Sequence, residues 1–195
     1  MKKQPERTAA TRSLFIETFI YLSEQKPIET ISVSELAKKT GFNRSTFYQY
    51  FNDTHHLLSC IEDDMVEYIK QTIISKIGMP KTDTLFTEIF IQVYREKGTM
   101  LKFLFLINRG HFPAKLKHTL IHAFAEKMQL SLEDTQTLFI LDFYLSGMIS
   151  IVGRWITSEP LLSPEEFALT IHRIVDGVRK SELFPISGIE IIGTM

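Results

Sequence analysis

Apolar side chains recur three and four residues apart along almost the whole chain, and no run alternates convincingly enough to be a strand. This periodicity predicts an all-α protein. About nine helices are expected, over 6–25, 32–40, 44–51, 54–77, 83–97, 98–109, 113–128, 132–158 and 164–180. Composition agrees, since fifteen Phe stand against nine Gly and seven Pro, a balance that favours packed helices over turn-rich sheet. With 44% hydrophobic and 23% charged residues over 195 positions, the chain has the makings of a folded protein of one domain or two small ones.

The sharpest local signals lie between Ser32 and Phe51, "SVSELAKKTGFNRSTFYQYF". Ser32 and Glu35 have the spacing of a capping box at the start of a short helix. Val33, Leu36 and Ala37 form its inward face, and Gly41 ends it because glycine takes a left-handed cap at little cost. Asn43 can then cap the next helix. Two helices joined by a tight glycine turn match helix-turn-helix spacing, in which the second helix would enter the major groove of DNA. On a helical wheel Phe47 and Phe51 fall together as core anchors. Ser45 and Gln49 face away, Thr46 and Tyr48 flank them, and Arg44 and Tyr50 lie nearer the core edge. That outward face is rich in groups that bond phosphate, adenine or guanine. The competing reading is a structural three-helix bundle whose aromatics are simply core.

The segment "ISVSELAKKTGFNRSTFYQYFNDTHHLL" resembles the N-terminal domain of the TetR/AcrR family of transcriptional regulators. The shared features are the Ala-x-x-x-Gly-Phe turn, the Thr-Phe-Tyr-x-Tyr-Phe helix and the Leu-Leu pair that follows. The resemblance is close over residues 6–60. It implies a DNA-binding domain over 1–52, a helical ligand-binding and dimerisation domain over 53–195, and a cytoplasmic homodimer that binds double-stranded DNA as a repressor. It also implies DNA contacts from Ser34, Arg44, Ser45, Thr46, Tyr48, Gln49 and Tyr50. The chain departs from the family at Thr54, where a lysine is usual. A hydroxyl replaces a cationic phosphate contact there, and His55 could contribute when protonated.

Around Thr135–Trp155 the chain is apolar nearly all round, so both sides of that helix need cover. Ser146, Gly147 and Ser150 are small enough to admit a second helix. With the helix after Pro164 this could form half of a four-helix dimer interface, as in the resembled family, or be the central helix of a monomer core. In the middle of the chain Tyr94, Phe103, Phe105, Asn108, His111 and Phe112 mix aromatic with polar character. The resemblance makes this region a small-molecule pocket, completed by Phe143, Tyr144 and Trp155; for any one aromatic, plain core is the alternative. The segment "YLSGMISIVGRWITSEPLLSPEEFALTI" also faintly resembles a branch that includes regulators of dihydroxyacetone kinase operons. Some of these act through a partner sensor protein, so an activator or co-regulator is the alternative function.

Residues 1–60 carry eight Lys or Arg against six acids, a local +2, while the whole chain is −1; a polyanion would sense the local field. The single cysteine, Cys60, allows no internal disulfide and suits a reducing compartment. No signal peptide is evident, and the uncharged stretch 143–153 is too short to span a bilayer. His118, His122 and Glu126 lie one turn apart, a spacing shared by metal sites and by solvated helix faces; no metal or cofactor is expected. No phosphate loop, nucleophile elbow or His-Glu-x-x-His motif occurs, so no enzyme is expected.

Overall fold

The computed structural model describes residues 5–76, 85–107, 111–158 and 162–180. Among these the chain is helical throughout, with α1 (Pro5–Ser23), α2 (Val33–Thr40), α3 (Arg44–Phe47), α4 (Thr54–Ile74), α5 (Leu85–Ile107), α6 (His111–Met128), α7 (Thr135–Thr157) and α8 (Pro164–Lys180). A single 3-10 turn, Ile28–Thr30, leads into α2. The chain divides into two compact units, the first ending at Met65 and the second beginning at Val66. The division falls inside α4, later than the expected 52/53 boundary. The physical reason is the buried stripe Leu57, Ile61 and Met65, whose four-residue spacing puts all three on one face. Asp64 adds an ion pair to Arg12 of α1 at 2.7 Å.

The first unit is built on phenylalanine. Phe15, Phe19, Phe47 and Phe51 are almost wholly buried, with Leu36 and Leu57 beside them. Ser32 caps α2 by accepting the Glu35 N–H at 3.2 Å. Glu35 does not complete a capping box; its carboxylate takes the Lys26 ammonium at 2.5 Å. A charge-assisted bond outcompetes a neutral backbone donor. Gly41 sits at φ 74°, and the Phe42 N–H reaches back to the Ala37 carbonyl at 3.1 Å, so the helix ends as the glycine predicts. Regular α3 is shorter than expected. Beyond Phe47 the chain tightens into three-residue bonds, Gln49 N–H to Thr46 O at 3.2 Å and Tyr50 N–H to Phe47 O at 2.9 Å.

In the second unit the helices expected over 83–97 and 98–109 are one, α5. Gly98 does not break it, because a side chain there would meet the Tyr94 ring at 3.3 Å and the glycine makes room for that ring. α5 packs on α7 and α8, and α6 packs on α7. Phe90, Tyr94, Trp155 and Phe167 form one aromatic cluster, with Trp155 stacked 4.8 Å from Phe167 and edge-on to Tyr94 at 5.1 Å. The Trp155 indole N–H donates to the Leu162 carbonyl at 3.1 Å. Asp134 caps α7 by accepting the Thr137 hydroxyl and backbone N–H, which hold its carboxyl below the usual range. Ser163 and Glu166 make a reciprocal capping box on α8, and the Ser163 backbone and hydroxyl donors lower the Glu166 carboxyl likewise.

By length and composition α7 could cross a membrane. It is nonetheless packed along one side through Ile140, Leu141, Leu145, Ile149, Gly153, Trp155 and Ile156, and its Asp142 pairs with Lys117 of α6 at 2.8 Å. The loop "GMPKTD" and the apolar tail after Lys180 lie largely or wholly outside the described residues.

Candidate nucleic-acid interface

The segment from Asn43 to Phe51 separates its side chains by chemistry. Phe47 and Phe51 are 0% and 1% exposed, and the Phe47 ring stands perpendicular to Phe15 at 5.3 Å. Arg44, Ser45 and Gln49 are exposed, Tyr48 keeps 56% of its surface, and Thr46 and Tyr50 are half-buried. Tyr48 is held at its root by an edge contact with Phe47 at 5.7 Å. Tyr50 leans on Phe15 at 6.4 Å and Phe51 at 6.3 Å. Two aromatic anchors therefore hold a polar strip outward, and ordering that strip costs little because its backbone is already fixed.

Ser34 of α2 is exposed and joins the strip through Arg44, whose Nε donates to the Ser34 Oγ at 3.1 Å while Nη2 makes a second bond to the same oxygen. Ten residues separate the two in sequence, so no local pattern announced the pairing. Asn43 does more than cap. Its Oδ1 accepts the Thr46 N–H at 2.8 Å, the Thr46 hydroxyl at 2.8 Å and the Ser45 hydroxyl at 2.7 Å.

At the start of α4, Asp53 accepts the His56 N–H at 2.7 Å, and His56 Nδ1 accepts the Asn52 N–H at 3.0 Å. That bond assigns the ring proton to Nε2 in the neutral imidazole. Nε2 lies 3.5 Å from the Cys60 sulfur, so His56 faces the thiol as a donor rather than as a base. Thr54 opens α4 half-buried, and His55 is exposed.

The expected ligand-pocket residues differ in their surroundings. Tyr94 and Trp155 belong to the aromatic cluster with Phe90 and Phe167. Phe103 and Phe112 are buried, and Phe105 meets Phe112 edge-on at 5.5 Å. Phe143 is 62% exposed beside Tyr144 at 5.9 Å, and burial pushes the Tyr144 phenol up. His111 is exposed at the start of α6, and Asn108 lies outside the described residues. An open groove of about 430 Å³ runs between the end of α5, α6 and α7. Phe105, Lys117, Ser146, Ser150 and Arg154 line it, so Phe105 is the one expected pocket residue it contains. On α6 the His118 and His122 rings lie 4.6 Å apart, and among the described residues no three His, Cys, Asp or Glu side chains gather to hold a metal.

A glycine-turned helix pair with a polar outer strip, among described residues that are otherwise helical, has the geometry of a helix-turn-helix. A TetR C-terminal family model, described as the transcriptional regulator C-terminal region, matches residues 81–177. The chain is 22% identical over 102 residues to an uncharacterized HTH-type transcriptional regulator, YvdT, of Bacillus subtilis (strain 168). That alignment covers 50% of this chain and 53% of the relative, so it spans about half the length of each. In fold the chain is similar to the dihydroxyacetone kinase operon activator DhaS, with TM-score 0.60 and 19% identity over 86% of this chain and 95% of that one. It is also similar to the fatty acid degradation regulator FadR from Bacillus halodurans, with TM-score 0.61 and 13% identity over 91% and 97%. A third similar fold is the TetR family repressor AlkX from Dietzia sp. Strain DQ12-45-1b, with TM-score 0.52 and 17% identity over 86% and 94%. The chain belongs to the TetR family of transcriptional regulators.

Proposed function

We propose that this protein is a cytoplasmic, homodimeric repressor that binds a palindromic DNA operator and is released by a small molecule. The observation that carries the DNA-binding part is the exposed strip Arg44, Ser45, Tyr48 and Gln49 held on buried Phe47 and Phe51. Ser34, Thr46 and Tyr50 extend the strip, with hydroxyls suited to phosphate and Gln49 suited to the N6/N7 edge of adenine. Tyr48→Ala and Gln49→Ala are expected to lose operator binding by about 5- to 150-fold each, since each removes a specific contact worth roughly 1–3 kcal/mol. Circular dichroism and sedimentation mass should stay at wild-type values. Operator titrations with unchanged affinity and salt slope for both variants would sink the assignment.

Dimerisation rests on α7 and α8. Phe139, Phe143 and Ile151 of α7 are 69%, 62% and 39% exposed, and Leu169 and Ile174 of α8 are 44% and 51% exposed. Gly147 between them meets nothing within 4 Å of an added Cβ, leaving room for a facing helix. Paired subunits would set two recognition segments against half-sites about 34–36 Å apart. Phe143→Asp places a charge in that face and should give single chains in light scattering at micromolar concentration, because an unpaired buried charge costs several kcal/mol. An unchanged two-chain mass would remove this face from the interface.

The groove beside Phe105, Lys117 and Arg154 supports the ligand-responsive part, since its volume of about 430 Å³ is of small-molecule size. Arg154 near the Phe105 ring suits an amphipathic acid, while Lys117 is already paired with Asp142. Such a ligand would favour one arrangement of the subunits and DNA another, so each would weaken the other reciprocally. A second reading, a transcriptional activator or co-regulator acting through a partner sensor protein, is favoured by the fold likeness to an operon activator. The two readings part on whether the purified chain alone changes its DNA affinity when a small molecule is added.

A further inference from the structure

The hydrogen bonds around Asn43 have a direction that bears on which bases the surface can read. This rests on the proposed DNA-binding reading. An amide oxygen carries no proton, and the Thr46 backbone N–H at 2.8 Å requires that it is Oδ1, not the amide nitrogen, that faces α3. The Ser45 hydroxyl at 2.7 Å and the Thr46 hydroxyl at 2.8 Å must then both donate to Oδ1. Each hydroxyl has one proton, and that proton is spent inside the protein. What Ser45 and Thr46 have left is oxygen lone pairs. Ser34 is the converse case. Its oxygen accepts Nε and Nη2 of Arg44, which leaves its own proton as a donor.

Phosphate oxygens, guanine O6 and N7 and thymine O4 are acceptors; the donors in the major groove are adenine N6 and cytosine N4. We propose that Asn43 is a specificity-determining residue that acts without touching DNA: it fixes Ser45 and Thr46 as acceptors, so that they select an amino-bearing base, adenine or cytosine. Ser34, with its proton free, suits phosphate instead. The two helices of the motif would thus present opposite hydrogen-bond polarity, one for position and one for sequence.

The test is selection of bound duplexes from a randomised pool by the full-length protein, with sequencing. Ser45→Ala and Thr46→Val identify the operator positions those hydroxyls read, as the positions whose preference flattens. In the wild type, replacing adenine by purine or cytosine by 2-pyrimidinone at those positions, one strand at a time, removes the amino group and should weaken binding on one strand. The same replacements should cost nothing further in Ser45→Ala or Thr46→Val. Asn43→Gly keeps a tolerable helix cap but frees both protons, and should cut the preference for amino-bearing bases at the same positions by about three- to tenfold. The other positions should be unchanged. Asn43→Asp, which still accepts both hydroxyls, should keep the preference while binding more weakly overall. Wild-type binding that is indifferent to loss of the amino group on either strand at the mapped positions would overturn the inference, as would a preference that survives Asn43→Gly or no position flattened by Ser45→Ala or Thr46→Val. The amino-group replacements decide the matter even where Asn43→Gly fails to fold. A wild-type protein that enriches no site at all would overturn the DNA-binding reading itself, and this inference with it.

Discussion

Phe47→Ala is expected to unfold the N-terminal unit while the helices of the second unit stay formed. Phe47 is 0% exposed, and its ring meets Phe15 at 5.3 Å, Phe51 at 5.4 Å and Tyr48 at 5.7 Å. Truncating a buried Phe costs about 3–5 kcal/mol. A unit that ends at Met65 commands roughly 3–10 kcal/mol in total at ordinary stability per residue, and small units bury proportionally less apolar surface. The loss is therefore comparable to the whole. Hydrogen exchange read by mass spectrometry should show peptides from α1, α2 and α3 losing protection while those from α6 and α7 keep theirs. Protection of α2 and α3 at wild-type levels would show that the aromatic cluster is not what holds them.

Gly153→Ala should destabilise the second unit, although alanine is the better helix former. In an open helix the exchange gains about 0.5–1 kcal/mol. At Gly153 the new Cβ would lie 2.6 and 2.7 Å from two carbons of the Phe105 ring, and that ring is backed by Phe112, which is 0% exposed. Overpacking of this kind costs about 1–3 kcal/mol, so the packing term wins. Gly177→Ala is the matched control, because nothing lies within 4 Å of its added Cβ. Thermal melts should move down for Gly153→Ala and slightly up for Gly177→Ala. A rise for both would mean that the Phe105 ring swings aside freely.

The N-terminal elements were legible because their signals are local. Ser32, Gly41 and Asn43 each act on backbone within a turn of themselves, and Phe47 and Phe51 fall on one side of a short helix whose other side is polar. Where a charge from outside the helix intervened, the local rule gave only half the answer: Ser32 caps α2, but Lys26 takes the Glu35 carboxylate. The break expected after residue 97 does not occur, and the Tyr94 ring fills the space a side chain at Gly98 would have used. The inward and outward sides of α7 were the least legible. α7 is apolar on nearly every side, so its sequence has no polar contrast to tell Phe143, which faces out, from Trp155, which faces in. That choice is made by α5 and α8, far away along the chain, and no spacing within α7 records it.

The phenylalanine core of the first unit has a consequence for biosynthesis. Phe15, Phe19, Phe47, Phe51 and Leu57 all lie within the unit that is made before the second. Its interactions link neighbouring helices, a topology of short chain separations that folds quickly. Synthesis adds only about 5–20 residues per second, so the nascent N-terminus has time to close its own core on the ribosome while the apolar α7 is still being translated. The segment most prone to stray association thus emerges behind a domain that is already folded.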